Sequence, residues 1–242
     1  EWDSLPRLSN YYPPFYYLLE ALFLGMGSSP GWLPFWTNLP GLFLLSFAFF
    51  RLGREHGAWS GVLSGHLPLL FPLVAWTSRE SLIDPWLTAW VALSYWLLSR
   101  IVGEEGRFSG PLFGLVVGLG LLTKWTFLLF LLPGLLFAGV RAANRTAFVR
   151  RLLDAALVAF PLTLWWYLPN LRSLMDRFES TAAAARWEMD PGLDSLLGWI
   201  YYPRCLFSYY LYLPLALIVM GAILYRLLSR DRKIDVVTVG LL

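Results

Sequence analysis

The sequence predicts an all-α protein, a polytopic transmembrane helical bundle of about seven spans. Three observations lead there. Hydrophobic residues make up 57% of the 242 residues and charged residues only 14%, against roughly 45–50% and 25% in a soluble domain. The apolar residues collect into discrete runs, most of them close to the ~20 residues a membrane helix needs. The runs lack the period-two alternation of a membrane barrel, and helices satisfy their own backbone in lipid. A mean hydropathy of +0.57 and an aromatic share of 17% complete the picture. Together these exclude intrinsic disorder, a nucleic-acid-binding domain and an ordinary soluble enzyme.

The elements follow in order. Tyr16–Gly25 is apolar but short, and Glu20 interrupts it, so it is expected to lie in the interface or re-enter on the outer surface rather than cross. The expected spans are Leu33–Phe50, Trp59–Trp76, Pro85–Leu98, Pro111–Leu122, Trp125–Val140, Leu152–Leu168 and Leu206–Leu228. The loops between them sort by charge. Arg51 with Arg54, Arg100 with Arg107, Arg141 to Arg151, and Arg226 to Lys233 mark cytoplasmic loops. Parity then puts Thr77–Asp84, Lys124 and the loop 169–203 on the outer side, with residues 28–34. The whole chain, 1–242, is expected to be a single transmembrane domain. The net charge of +3 therefore reports orientation rather than a nucleic-acid partner, and none is expected.

Cysteine and histidine are sparse. The lone Cys205 leaves no intrachain disulfide, and with only His56 and His66 no metal site built on His and Cys is expected. The start Glu1-Trp2-Asp3-Ser4 has no basic region and no apolar run, and Val236–Leu242 begins an apolar run that stops. Both ends are expected to continue in a longer protein.

Polar residues at the edges of membrane spans are the natural candidates for function, and four places stand out. Tyr11-Tyr12-Pro13-Pro14-Phe15-Tyr16-Tyr17 reads as a helix start in an aromatic belt, or as the rigid aromatic edge of a sugar or lipid site. In Ser78-Arg79-Glu80-Ser81-Leu82-Ile83-Asp84-Pro85, Asp84 reads as an N-cap with Pro85 at N1. The same helix start is also a place for an anion or polar substrate, with Arg79 available to clamp a phosphate. Lys124 is a cation between two apolar runs, either snorkelling to the interface or neutralising a lipid phosphate. Nearby Gly114 and Gly118 have the spacing of close helix packing. The loop 169–203 carries mixed charges that read mostly as solvated, with a short outer helix near Ala182–Ala185; as a unit it is placed to cover a substrate site.

These segments, in this order, resemble the GT-C glycosyltransferases of the protein O-mannosyltransferase and lipid A aminoarabinose-transferase type. The residues that carry the resemblance are Tyr12-Pro13-Pro14-Phe15-Tyr16-Tyr17, Arg51-Leu52-Gly53, Ser78-Arg79 and Leu82-Ile83-Asp84-Pro85-Trp86-Leu87-Thr88-Ala89. Gly114, Gly118-Leu119-Gly120, Leu122-Thr123-Lys124 and Tyr167-Leu168-Pro169-Asn170 follow. The resemblance implies transfer of a sugar from a polyprenyl-phosphate donor to a glycan, lipid or protein acceptor on the outer face of a multi-pass membrane protein. The flavour of the motifs is that of bacterial members, so the expected home is the bacterial inner membrane. The family's acidic general base lies in the first outer loop; Asp3 is too close to Pro13 to be it, so the base is expected upstream of Glu1.

By the same resemblance Lys124 and Arg79 face the donor phosphate. Asp84, near Glu80, positions the sugar or a divalent cation, and Tyr12, Pro13, Pro14 and Tyr16 form a wall. Asn170 opens the next outer loop. The competing classes are a transporter or flippase, which would place polar residues inside several spans and show inverted repeats, and a non-catalytic membrane scaffold. No repeat is visible, and the polar residues gather at span ends.

Overall fold

The computed structural model describes residues 13–187, the backbone alone over 177–187, and beyond them only Ile200, Tyr201, Arg204 and Gly221. The expected span Leu206–Leu228 lies outside the described residues except for Gly221, and Tyr11 and Tyr12 lie outside them altogether. The described residues are all-helical: α1 (Phe15–Gly25), α2 (Leu33–Arg54), α3 (Ala58–His66), α4 (Pro72–Thr77), α5 (Asp84–Val102), α6 (Ser109–Thr123), α7 (Phe127–Arg141) and α8 (Arg145–Trp187).

The helices alternate in direction as the charge pattern requires. Trp86 of α5 meets Thr37 and Gly41 of α2, and ten residues on Trp96 meets Phe47 and Arg51, so α2 and α5 run parallel. Tyr95 of α5 meets Phe130 and Gly134, and Ser99 and Arg100 line a cavity with Phe137 and Arg141, so α7 runs parallel to both. Between them, α6 and α8 run the other way. Gly110 abuts Arg151, Gly114 abuts Ala155, Gly118 abuts Leu162, and Leu121 accepts a hydrogen bond from Tyr167. Starts of α2, α5 and α7 therefore share one end of the bundle with the end of α6 and the middle of α8. The other end collects Arg54, Arg100, Arg141 and Arg151.

Two sequence expectations change. The segment Trp59–Trp76 is not one helix: α3 gives way to a 3-10 turn, Leu67–Leu70, before α4 begins. Pro68 and Pro72 are the physical reason, because each removes a backbone donor, and Phe71 before Pro72 is extended at φ −74°, ψ 121°. The expected loop from Pro169 begins instead as helix. The 43-residue α8 carries Pro161 and Pro169 inside it. Polar side chains brace the turns around both prolines: Thr163 Oγ1 donates to Ala159 O, and Asn170 Nδ2 to Trp166 O, each at 2.8 Å. Among the described residues one helix, α2, is by itself long and apolar enough to cross a membrane, while α1, α6 and α7 are apolar but shorter.

The core is centred on α5, whose Trp86, Ala89, Trp90, Leu97, Leu98 and Ile101 are buried against α2, α6 and α7. The outward faces are apolar as well. Phe43, Leu129 and Leu157 are 68%, 64% and 76% exposed, the inverse of a soluble surface with its solvated polar face. The expectation that Gly114 and Gly118 serve close packing is met: a Cβ at Gly114 would run into the backbone of Ala155, and one at Gly118 would stand 2.7 Å from Leu162.

This packing makes a paired prediction. Gly114→Ala is expected to destabilise the detergent-solubilised protein by about 1–3 kcal/mol, as overpacking does, although alanine is the better helix former. Gly31→Ala, whose Cβ would meet open space, is expected to stay within about 0.5 kcal/mol of the parent. Thermal or denaturant unfolding of the two variants side by side checks both.

Candidate functional site

The polar end of the bundle is built around an ion pair. Lys124 Nζ lies 3.1 Å from Asp84 Oδ1, with the side chains 22% and 46% exposed respectively. Helix ends put them there. Asp84 is the first residue of α5, where backbone N–H groups point outward and favour an anion. Lys124 follows the last residue of α6, whose carbonyls favour a cation. Lys124 is extended at φ −153°, ψ 130°, which ends α6 and turns the chain into α7. The Asp84 side chain does not cap its own helix, since no side-chain cap bond forms there and Pro85 follows at the first turn. The N-cap reading thus yields to a carboxylate directed at Lys124, 40 residues away in sequence.

A second hub lies one layer in. Asn38 of α2 is fully buried, and its Nδ2 faces Glu80 O at 3.1 Å, Ser78 O at 3.4 Å and Tyr16 Oη at 3.5 Å. One amide thereby ties the start of α1 and the turn before α5 to α2, and so sets the approach to Asp84. The Tyr16 hydroxyl is held protonated, its pKa raised first by burial and then by the neighbouring Glu20 carboxylate. Pro13 and Pro14 are buried beside it. Glu80 enters this network through its backbone carbonyl, while Arg79 and the Glu80 residue itself are exposed on the turn.

Aromatic rings form the floor. Phe15 stands edge-on to Trp86 and Trp90, with centroids 5.0 and 5.5 Å apart. Trp86 Nε1 donates to Thr37 O at 2.8 Å, and Trp90 Nε1 donates to Thr123 Oγ1 at 3.0 Å, next to Lys124. Phe15 also packs against the small core of Leu122, Trp166 and Leu174, which joins α1 and α6 to α8. Tyr167 donates to Leu121 O at 2.8 Å near the same helix end. Asn170 is buried, with its amide bonded to the Trp166 carbonyl of its own helix.

Of the residues the sequence singled out, the structure brings Asp84 and Lys124 into contact and links Tyr16 to the Glu80 backbone through Asn38. It places Arg79 outward and Asn170 inward, and Tyr12 lies outside the described residues. Sequence reasoning missed Asn38, although a signal was present: it is a lone amide in the apolar run Leu33–Phe50. The divalent-ion role considered for Asp84 meets a competitor in the Lys124 ammonium. Among the described residues no three His, Cys, Asp or Glu side chains gather as metal ligands would. The arrangement offers a part-exposed cation and a carboxylate that orients it, backed by a buried aromatic cluster.

The Asn38 hub is testable. Asn38→Ala removes a donor that three acceptors share, and is expected to destabilise the protein by about 1–3 kcal/mol. It should also loosen the 78–83 turn, so that trypsin cuts after the exposed Arg79 faster than in the parent. Unchanged cleavage at Arg79 would mean that the turn is held by other means.

No curated protein and no solved structure gives a significant match to the chain. The family model described as dolichyl-phosphate-mannose-protein mannosyltransferase matches residues 12–167. That stretch runs from the Pro13-Pro14 segment through Asp84 and Lys124 to Tyr167, so it contains the ion pair, the Asn38 hub and most of the aromatic floor. The chain belongs to the dolichyl-phosphate-mannose-protein mannosyltransferase family, whose members are membrane glycosyltransferases of the GT-C type.

Proposed function

We propose that the full-length protein moves a sugar from a polyprenyl-phosphate donor to a glycan, lipid or protein acceptor at the outer face of a cell membrane that it crosses several times. The observation that carries this is the Asp84–Lys124 pair, a cation fixed where α5 begins and α6 ends. In the transfer, an acceptor oxygen forms a bond to the anomeric carbon as the bond from that carbon to the phosphate oxygen breaks. The acceptor's proton goes to a base, and the polyprenyl phosphate leaves with added negative charge. Lys124 is the cation that would meet that charge, oriented before the reaction rather than during it. Asp84 holds the ammonium in place, and Arg79 on the neighbouring turn is available as a second cation for the same phosphate. Phe15, Trp86, Trp90 and the Pro13-Pro14 segment form a rigid packed layer behind the pair that holds it in position. The base for the acceptor is not assigned among the described residues.

Two features support the multi-pass reading. The alternating helices put arginines at one end and the ion pair at the other, and by the positive-inside rule the arginine end faces the cytoplasm. Apolar side chains cover the outward faces of α2, α7 and α8, as lipid contact requires. A bacterial inner membrane is the proposed location.

The experiment is a transfer assay on the full-length protein with a panel of polyprenyl-phosphate sugars. Lys124→Ala is expected to lower turnover by about 10²–10³-fold, as loss of one electrostatic contact to a transition state does. Its stability should fall by less than about 1 kcal/mol, because the pair is partly exposed to solvent. The swap Asp84→Lys with Lys124→Asp keeps an ion pair and should keep stability near the parent's, yet is expected to remain inactive. Parent-like turnover in Lys124→Ala would remove the phosphate role, and no product with any donor would favour a non-enzymatic membrane protein.

A further inference from the structure

The arginine end of the bundle holds a cavity of about 790 Å³ where the last turns of α2, α5 and α7 converge. Arg51, Arg54, Arg100 and Arg141 line it, against the two acids Glu55 and Glu105. Part of this is ordinary helix-end electrostatics, since all four arginines sit in the last turns of their helices. That explains a cation at each end but not their convergence. Arg51 and Arg100 both approach one ring, Trp96, at 5.1 and 5.6 Å from its centroid. Two cations drawn to one ring repel each other, and a bound anion would relieve that repulsion. Arg141 lies 5.2 Å from the Phe137 ring on the facing wall. Among the described residues only Arg100 of the four has a carboxylate in ion-pair range, Glu105 at 3.7 Å. Even so, Arg100 Nε is buried with no hydrogen-bond partner.

The wall of the cavity is held in place from outside. Arg151 of α8 donates to Glu104 O at 2.9 Å, Glu105 O at 3.3 Å and Ser109 Oγ at 3.1 Å. These bonds fix the α5–α6 connection, in which Glu104 and Gly106 have φ of 57° and 74°. A pocket of this size, with guanidinium groups around an aromatic floor, suits a phosphate oxyanion, which arginine binds with two parallel N–H donors. It opens at the helix ends, where the headgroups of anionic lipids lie if this end faces the cytoplasm.

We propose that this cavity binds the phosphate group of an anionic phospholipid headgroup or of a soluble phosphate, at a site separate from the Asp84–Lys124 end. The test uses the full-length protein in nanodiscs and in detergent. One arm compares retention of phosphatidylglycerol with phosphatidylcholine by native mass spectrometry. The other measures inorganic phosphate binding by calorimetry at constant ionic strength. The parent is expected to bind one of the two phosphates. The variant Arg51→Gln with Arg100→Gln should bind it at least tenfold more weakly, and Arg51→Lys with Arg100→Lys should recover part of the loss by keeping the charge. Phosphatidylglycerol retained without phosphate binding assigns the lipid, and phosphate binding without lipid preference assigns the soluble ion. A parent that prefers neither overturns the proposal, as does a folded Gln variant that binds like the parent. If the Gln variant does not fold, the parent's own two arms decide.

Discussion

Asn38 is the constraint on which the polar end of this bundle depends. A carboxamide buried in an apolar helix is drawn to partners, because burying an unpaired amide costs roughly 2–7 kcal/mol. Here its Nδ2 finds the carbonyls of Ser78 and Glu80 and the phenol of Tyr16, while Oδ1 is buried with no hydrogen-bond partner among the described residues. Meeting that demand pins the turn before α5 and the first turn of α1 against α2. The direction of Asp84 follows from the turn, and the position of the Pro13-Pro14 segment follows from Tyr16. A residue without an evident chemical role therefore positions two of the candidate site segments.

The second organising feature is the close approach of α6 and α8. Glycines at 110, 114 and 118 let the backbone of α6 reach that of α8, and the close van der Waals contact this allows holds the two helices together. The register it sets carries Tyr167 to the Leu121 carbonyl, three residues before Lys124. It also carries Arg151 to the α5–α6 connection at the opposite end. One helix contact thus braces both the part-exposed ion pair and the arginine-lined cavity, at opposite ends of the bundle.

Much of the fold was legible in the sequence because apolar runs, prolines and glycines act locally. The helix over Leu33–Arg54 and the hairpin of α6 and α7 match their apolar runs to within a few residues, as does α5, and Gly114 and Gly118 pack as their spacing implies. The segment 59–76 was over-read because its composition is uniformly apolar while Pro68 and Pro72 divide it. The helix beyond Pro169 was under-read for the opposite reason. A proline ends a helix in isolation, but here Thr163 and Asn170 brace the backbone nearby and the partner helix α6 supports it. At the candidate site, Asp84, Lys124 and Tyr16 stood out as polar residues at the edges of apolar runs. Asn38 did not, because one amide barely changes the hydropathy of an 18-residue stretch.

By itself the sequence determined the all-α class, the gathering of most arginines between apolar runs, and the run of motifs shared with a family of membrane glycosyltransferases. These are properties of composition and of short-range order. Tertiary structure alone decided which charges and amides meet. Asp84 and Lys124 are 40 residues apart, Asn38 and Glu80 are 42 apart, and Arg51 and Arg100 share a ring across two helices. Each meeting depends on the rotation and register of packed helices, and those are set by glycine contacts and buried hydrogen bonds that no local pattern encodes.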